Sequence, residues 1–179
     1  GFNPQQKILV PLNSPNAYDN FYTLKEEILG DSRVIDASAV SSYPGTINFE
    51  DMIMFGEGKT AEEGHQGYMT FIEPNYLELM EFELLEGRLF SYEHLSDTLN
   101  SVIINEKLAQ DLGYTPETAV GHKMYYEWRE RRYDFTIVGV VKDFHAKSLH
   151  DPIEGQSFLF RPNDAHNYLI AKVESADLP

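Results

Sequence analysis

Cysteine is absent from the 179 residues, which excludes disulfides and thiolate chemistry and leaves the compartment open. Long apolar runs are absent too. None approaches the roughly 20 residues that cross a bilayer, and no secretory leader is visible. Basic residues are scarce: 14 Lys and Arg stand against 29 Asp and Glu, a formal net charge of -15. A chain this acidic is repelled by nucleic-acid phosphates and anionic lipid surfaces, so no nucleic acid is expected as a partner. GxSxG, HExxH and GxGxxG are missing. Gly56-Glu57-Gly58-Lys59-Thr60 ends like a phosphate-binding loop but lacks the four-residue spacing between its glycines. No cofactor, catalytic residue or metal ligand is therefore assigned.

What is present is globular: 42% hydrophobic and 24% charged residues, enough chain for one ordinary domain or two small subdomains. Residues 7–12 form a strand whose Pro11 suits an edge or an end. A helix over 18–29 follows, capped by Asn16 and ended by Gly30, with Tyr18, Phe21, Leu24 and Ile28 on its apolar stripe. Residues 34–41 return as a strand, giving a βαβ-like unit. Strands follow at 48–55 and 67–72, with residues 56–66 between them reading as a mobile loop. A short helix over 75–80, a turn at Gly87, a polar stretch over 91–100 and a buried strand at 102–104 come next. Asn105 caps a helix over 106–112 that Gly113 closes, and Thr115-Pro116 opens one more turn. Residues 123–128 and 133–141 make a hairpin with a charged tip, Arg129 to Arg132. Strands at 157–160 and 168–173 end the pattern, the last with Leu169, Ala171 and Val173 on one face.

Residues 133–154, YDFTIVGVVKDFHAKSLHDPIE, organise the rest. Strict alternation puts Phe135, Ile137, Gly139 and Val141 on one face, and Thr136, Val138 and Val140 on the other. Both faces are mostly apolar, so the strand is covered on both sides, and Gly139 marks a bulge or a close backbone approach. The phrase VVKDFHAKSLHDPIE resembles the signature of the MacB-like periplasmic core domain of FtsX-type ABC transporter permeases, in its Bacteroidetes-like version. Four further segments agree in the family's order: Asn75-Tyr76-Leu77, then Leu85-Glu86-Gly87-Arg88-Leu89-Phe90, then Val102-Ile103-Ile104-Asn105-Glu106, then Leu112-Gly113 with Val120-Gly121.

The resemblance implies an α+β fold. A porter-like βαβ subdomain would come from residues 1–47 and 155–179, and a β-rich sabre-like subdomain from 48–154. Asp177-Leu178-Pro179 are residues that open a helix, so the second porter-like half is expected to be truncated, leaving an apolar strip uncovered or filled by another chain. The implied role is non-catalytic. The domain would sit on the periplasmic face of the bacterial inner membrane, attached through helices outside this stretch, and transmit ATP-driven motion to export or remodelling of a cargo. Its implied partners are the rest of the permease, a cytoplasmic ATPase subunit and a periplasmic protein or cargo.

Other chemistry is weighed against plainer readings. Asp143, His145, His150 and Asp151 cluster in metal-ligand types, which would suit a metal-dependent hydrolase, but spacing alone supports them. The plainer reading is that Asp143 caps a turn and the histidines bond to backbone. Glu78, Glu81, Glu83 and Glu86 read as a solvated face rather than a catalytic pair. Tyr125, Tyr126, Trp128 and Tyr133 fall in one hairpin, where cross-strand packing competes with a contact surface for a peptide, glycan or partner domain. The candidate partner surface is Tyr126, Trp128, Arg129 and Arg131. An extracytoplasmic peptide- or glycan-binding module is the alternative function.

Overall fold

The computed structural model describes residues 5–45, 50–146, 150–161, 164 and 167–174, without the side chains of Pro15, Tyr18 and Glu50. Its architecture is a closed ring of six strands joined to a three-stranded sheet. Strands β1 (Lys7–Pro11), β2 (Val34–Val40) and β10 (Tyr168–Val173) form the sheet, with β10 in the middle and antiparallel to both neighbours. The βαβ unit expected at the start is therefore split, with the last strand inserted between its two strands.

The ring is built from β3 (Glu50–Gly56), β4 (His65–Ile72), β6 (Ser101–Asn105), β7 (Lys123–Trp128), β8 (Arg131–Val141) and β9 (Gly155–Phe160). Pairing runs β3–β4–β9–β6–β8–β7 and returns to β3. The β4–β9 and β6–β8 pairs are parallel and the rest antiparallel. Closure leaves no free edge on the ring. A short strand, β5 (Leu84–Gly87), adds to β8 from outside.

Alternation along the ring strands fills its interior. Met54, Met69, Met124, Phe135, Ile137, Val102, Ile104 and Leu159 form one buried cluster with Leu108, Ala109 and Leu112 of helix α5 (Glu106–Leu112), which plugs the ring. The outward residues Ile72, Ile103, Val141, Phe158 and Phe160 form a second core with Val40 and Ile170 of the sheet. Helix α3 (Tyr76–Leu79) supplies Tyr76, Leu77 and Leu79 to that core. The ring and the sheet thus share one hydrophobic core, besides the direct Val40–Ile72 pairing. A third, smaller core lies under α1 (Pro15–Asp19) and α2 (Phe21–Leu29), where Phe21 meets Ala39, Leu169 and Ala171.

Several local expectations change. The single helix over 18–29 is two, α1 and α2, and Ser14 rather than Asn16 accepts from the first turn, through the Ala17 amide at 3.1 Å. Asn16 instead accepts from the Asn20 side chain. Gly30 ends α2 with φ -71°, a right-handed residue rather than a left-handed cap. Residues 56–66 complete β3, make a 3-10 turn over Ala61–Glu63 boxed by Thr60 and Glu63, and begin β4. The strand over 84–87 was not expected; Gly87 (φ +76°) closes it. The cap at Asn105 holds: its side chain accepts from the Leu108 amide at 3.1 Å. The start of the strand at 48–49 and the residues 177–179 lie outside the described residues.

Strict alternation along β8 fails at one place. Ile137 pairs with Val102, but Gly139 pairs with the next residue, Ile103, so Val138 is an extra residue. The bulge moves Val140 onto the face of Phe135 and Ile137, inside the ring, and turns Val141 outward. Gly139 also meets the second expectation. A Cβ there would stand 2.4 Å from the Arg88 carbonyl oxygen, so only glycine admits the backbone that follows β5.

Candidate functional site

The β7–β8 hairpin turns through Arg129 and Glu130, both left-handed (φ 48° and 62°), so its right-handed strand twist continues through a two-residue turn. Non-glycine residues bear some strain there. Below the turn Trp128 pairs with Arg131, and Tyr126 with Tyr133. Tyr126 stacks on Tyr133 at 4.8 Å and on Phe135 at 5.8 Å, and is packed against the ring interior. Trp128 is 51% exposed. Of the four candidate surface residues, Trp128, Arg129 and Arg131 are exposed, whereas Tyr126 mainly supports them from within.

Each arginine of the tip lies over an aromatic ring. The guanidinium of Arg129 is 5.7 Å from the Trp128 ring, that of Arg131 5.0 Å from Tyr133, and that of Arg132 3.9 Å from Tyr125. Tyr125 in turn stacks on Phe55 at 5.7 Å, with Arg132 5.0 Å from that ring as well. Among the described residues, no carboxylate comes within ion-pair distance of Arg129, Arg131 or Arg132. Arg132 and Tyr125 lie on the other face of the hairpin, where alternation placed Tyr125, and the register sets Arg132 beside it.

The metal-type residues serve a different end. Asp143 Oδ1 accepts from the Lys107 amide and from the Asn105 side chain, both at 2.9 Å, so it caps the start of α5 across the fold. Glu106 accepts from the Asp143 amide at 2.9 Å. Asn105 is buried and fully used: its oxygen accepts from Leu108 and Gln156 amides, and its nitrogen donates to Asp143 and the Glu154 carbonyl. Burial pushes the Asp143 carboxyl above its ordinary range, against the bond from Lys107. His145 is half-buried and His150 exposed. Among the described residues, no three His, Asp or Glu side chains converge as ligands.

Glu78, Glu81, Glu83 and Glu86 are exposed. Glu81 nonetheless bridges Lys7 and Lys172, at 3.1 and 2.9 Å, tying the sheet to the segment after α3. The buried carboxylates are ones that spacing did not single out. Glu73, 0% exposed, accepts from Lys25 at 2.8 Å, Tyr22 at 3.1 Å and Tyr92 at 2.6 Å. Asp97, 2% exposed, takes both arms of Arg88 at 2.7 and 2.8 Å and the Ser101 hydroxyl at 2.9 Å. Arg88 belongs to the Glu-Gly-Arg segment already singled out, and an arginine there was the available signal for a buried acid nearby.

This split sheet, closed ring and shared core define an α+β domain. The family model of the MacB-like periplasmic core domain matches residues 9–177, so the chain belongs to that family, a periplasmic domain of ABC transporter permeases. Its fold is similar to the periplasmic region of MacB from Actinobacillus actinomycetemcomitans, with TM-score 0.64 and 12% identity over 99% of this chain and 78% of that one. It is also similar to the extracellular domain of the noncanonic ABC-type transporter YknZ from Gram-positive bacteria, with TM-score 0.63 and 15% identity over 96% of this chain and 85% of that one. No curated protein matches the sequence. No helix among the described residues is long and apolar enough to cross a membrane.

Proposed function

We propose that this domain is a non-catalytic lever. Membrane helices elsewhere in the permease, driven by ATP hydrolysis on a cytoplasmic subunit, displace it, and it passes that displacement to a cargo or a periplasmic partner. The observation that carries the reading is the core shared between ring and sheet. A unit meant to transmit a push must not deform, and a closed ring fused to a sheet through Val40, Ile170, Phe158 and Phe160 resists shear between its parts.

The division into a porter-like and a sabre-like part belongs to the same proposal. The sheet β1–β10–β2 with α1 and α2 is the porter-like part, and the ring is the sabre-like part. Hydrogen bonding assigns the two strands of 155–179 differently: β10 joins the sheet, while β9 pairs with β4 and β6 in the ring. This pairing supports a seam after β9. On the face of the sheet that α2 covers, Ile8 (44% exposed) and Val10 (36% exposed) pair with Ala171 and Leu169 but have no helix over them among the described residues. With Val34, Val173, Asp31 and Arg33, Ile8 lines an open cavity of about 170 Å³. We read this strip as the seat of the second porter-like helix.

The test is made in the intact permease. With spin labels on the hairpin tip and on the cytoplasmic ATPase, ATP is expected to shift the distance between them, with the isolated domain hydrolysing nothing. An unchanged distance through the ATP cycle contradicts the lever.

A further inference from the structure

Resting on the reading that the β7–β8 hairpin faces a partner, we propose that its tip recognises carboxylate side chains, and that the partner presents an acidic peptide segment. The chain holds 14 basic residues against 29 acidic ones, yet three arginines fall within four positions at one exposed turn. In a chain so rich in carboxylates, most described Lys and Arg side chains find one: Lys7, Lys25, Arg33, Arg88, Lys107, Lys123, Lys142 and Lys172 all do. Arg129, Arg131 and Arg132 do not, although Glu127 lies opposite Arg132 in register and Glu130 sits in the turn itself.

Aromatic rings hold them instead: Trp128, Tyr133 and Tyr125. A guanidinium over a ring keeps its N–H fork unspent, and the fork matches a carboxylate in bidentate geometry. The ring also restricts the side chain beforehand, which lowers the ordering cost on binding. Trp128 offers an apolar flank beside the charges, which suits a peptide in which acidic and apolar residues alternate. The same charge balance disfavours an anionic lipid surface. A flat sheet of phosphates faces the whole -15 chain, whereas a short peptide meets only what lies within a Debye length of the tip, about 8 Å at physiological salt.

Trp128 is the single tryptophan, so its emission reports the tip alone. The chain is titrated with hexaglutamate, with hexalysine, and with vesicles of zwitterionic lipid carrying about one-third anionic lipid. Hexaglutamate is expected to give a saturable change that weakens steeply between about 50 and 300 mM salt. The double variant Arg129→Gln/Arg131→Gln is expected to lose about tenfold or more in affinity, with its circular dichroism unchanged. Arg33→Gln, far from the hairpin, is expected to bind as the parent does. The proposal is overturned if hexaglutamate leaves the emission unchanged, if hexalysine acts equally, if the double variant binds as well as the parent, or if only the anionic vesicles bind. Export by the intact permease carrying the same double variant separates the two readings. Lost export with no hexaglutamate binding removes the acidic partner and keeps a partner-facing hairpin; hexaglutamate binding with unaltered export keeps the carboxylate site and removes its part in transport.

Discussion

Gly67 and Gly155 face each other across the β4–β9 pair that closes the ring, and Leu108 of α5 fills the space both leave. A Cβ on Gly155 would stand 3.2 Å from Leu108 Cδ1, and one on Gly67 would stand 3.6 Å from the same atom and 3.1 Å from Met54 Sδ. The closure of the ring and the seating of its plug are thus one packing problem. Gly155→Val is expected to destabilise by about 1–3 kcal/mol through overpacking, read as a lower urea midpoint. Leu108→Ala in that background is expected to cost less than Leu108→Ala alone, because the added methyls occupy the vacated volume. Additive losses would mean that the two sites do not share this space.

The Arg88–Asp97 pair fixes residues 88–101 against the outside of the ring. Arg88 is partly exposed, but the Asp97 side chain is 3% exposed. Arg88→Met therefore strands a buried carboxylate that keeps the Ser101 hydroxyl as a donor, and about 2–4 kcal/mol is expected to be lost. Burial raises the Asp97 carboxyl, and the bonds from Arg88 and Ser101 outweigh it, so the net shift is downward from 3.8. A depressed folded-state value means that the contribution is present above pH 3.8 and disappears as pH falls through the lower folded value. The variant is expected to show a flatter acid limb in its stability profile than the parent.

Asp143 has the opposite sign. Its folded-state value lies above 3.8 because of burial, so its contribution is complete below 3.8 and declines as pH rises through the higher value. Asp143→Asn keeps an oxygen to accept from Lys107 and Asn105 while removing the buried charge. Its thermal midpoint relative to the parent is expected to rise between about pH 4 and 7. A fall over that window would show that the charge itself holds the start of α5.

The eleven tyrosines are expected to titrate in two groups when followed by ultraviolet absorbance. Burial, with the nearby Glu73 carboxylate, pushes Tyr22 up to about 12, and burial pushes Tyr76 and Tyr92 higher still. Stability from these groups is whole below 10 and falls as pH rises past it, so the late group is expected to ionise with unfolding. The Tyr76 hydroxyl differs from the other two in having no hydrogen-bond partner among the described residues. Tyr76→Phe is expected to change stability by less than about 1 kcal/mol, whereas Tyr92→Phe, which removes a donor from Glu73, is expected to cost about 1–3 kcal/mol.

Local signals in the sequence carried most of the elements. The caps at Asn105 and Thr115, the left-handed Gly113 and the charged hairpin turn depend on residues within a few positions, and all appear where expected. What alternation misplaced were Val140 and Val141, because the bulge at Val138 inverts the period and leaves no compositional trace. Ring closure was not legible either: the β4–β9 pairing joins residues 88 positions apart, and each segment read simply as a short strand with no sign of its partner. At the hairpin, Trp128, Arg129 and Arg131 could be chosen from their types and spacing. Arg132 emerged only once its ring partner Tyr125 was fixed by register. Glu73 and Asp97 look like ordinary surface acids until Lys25 and Arg88 are brought to them from elsewhere in the chain.

Stiffness is the property on which the lever depends, and one distance tests it. This stretch has no cysteine, so in a permease with any cysteines elsewhere replaced, Glu26→Cys on α2 and Glu130→Cys at the hairpin tip give one labelled pair per chain spanning the sheet and the ring. Measured by double electron–electron resonance in the intact permease, that distance distribution is expected to stay the same, in position and width, with and without ATP. A shift or a broadening on ATP addition would show that the ring moves against the sheet, and the domain would then be a joint rather than a lever.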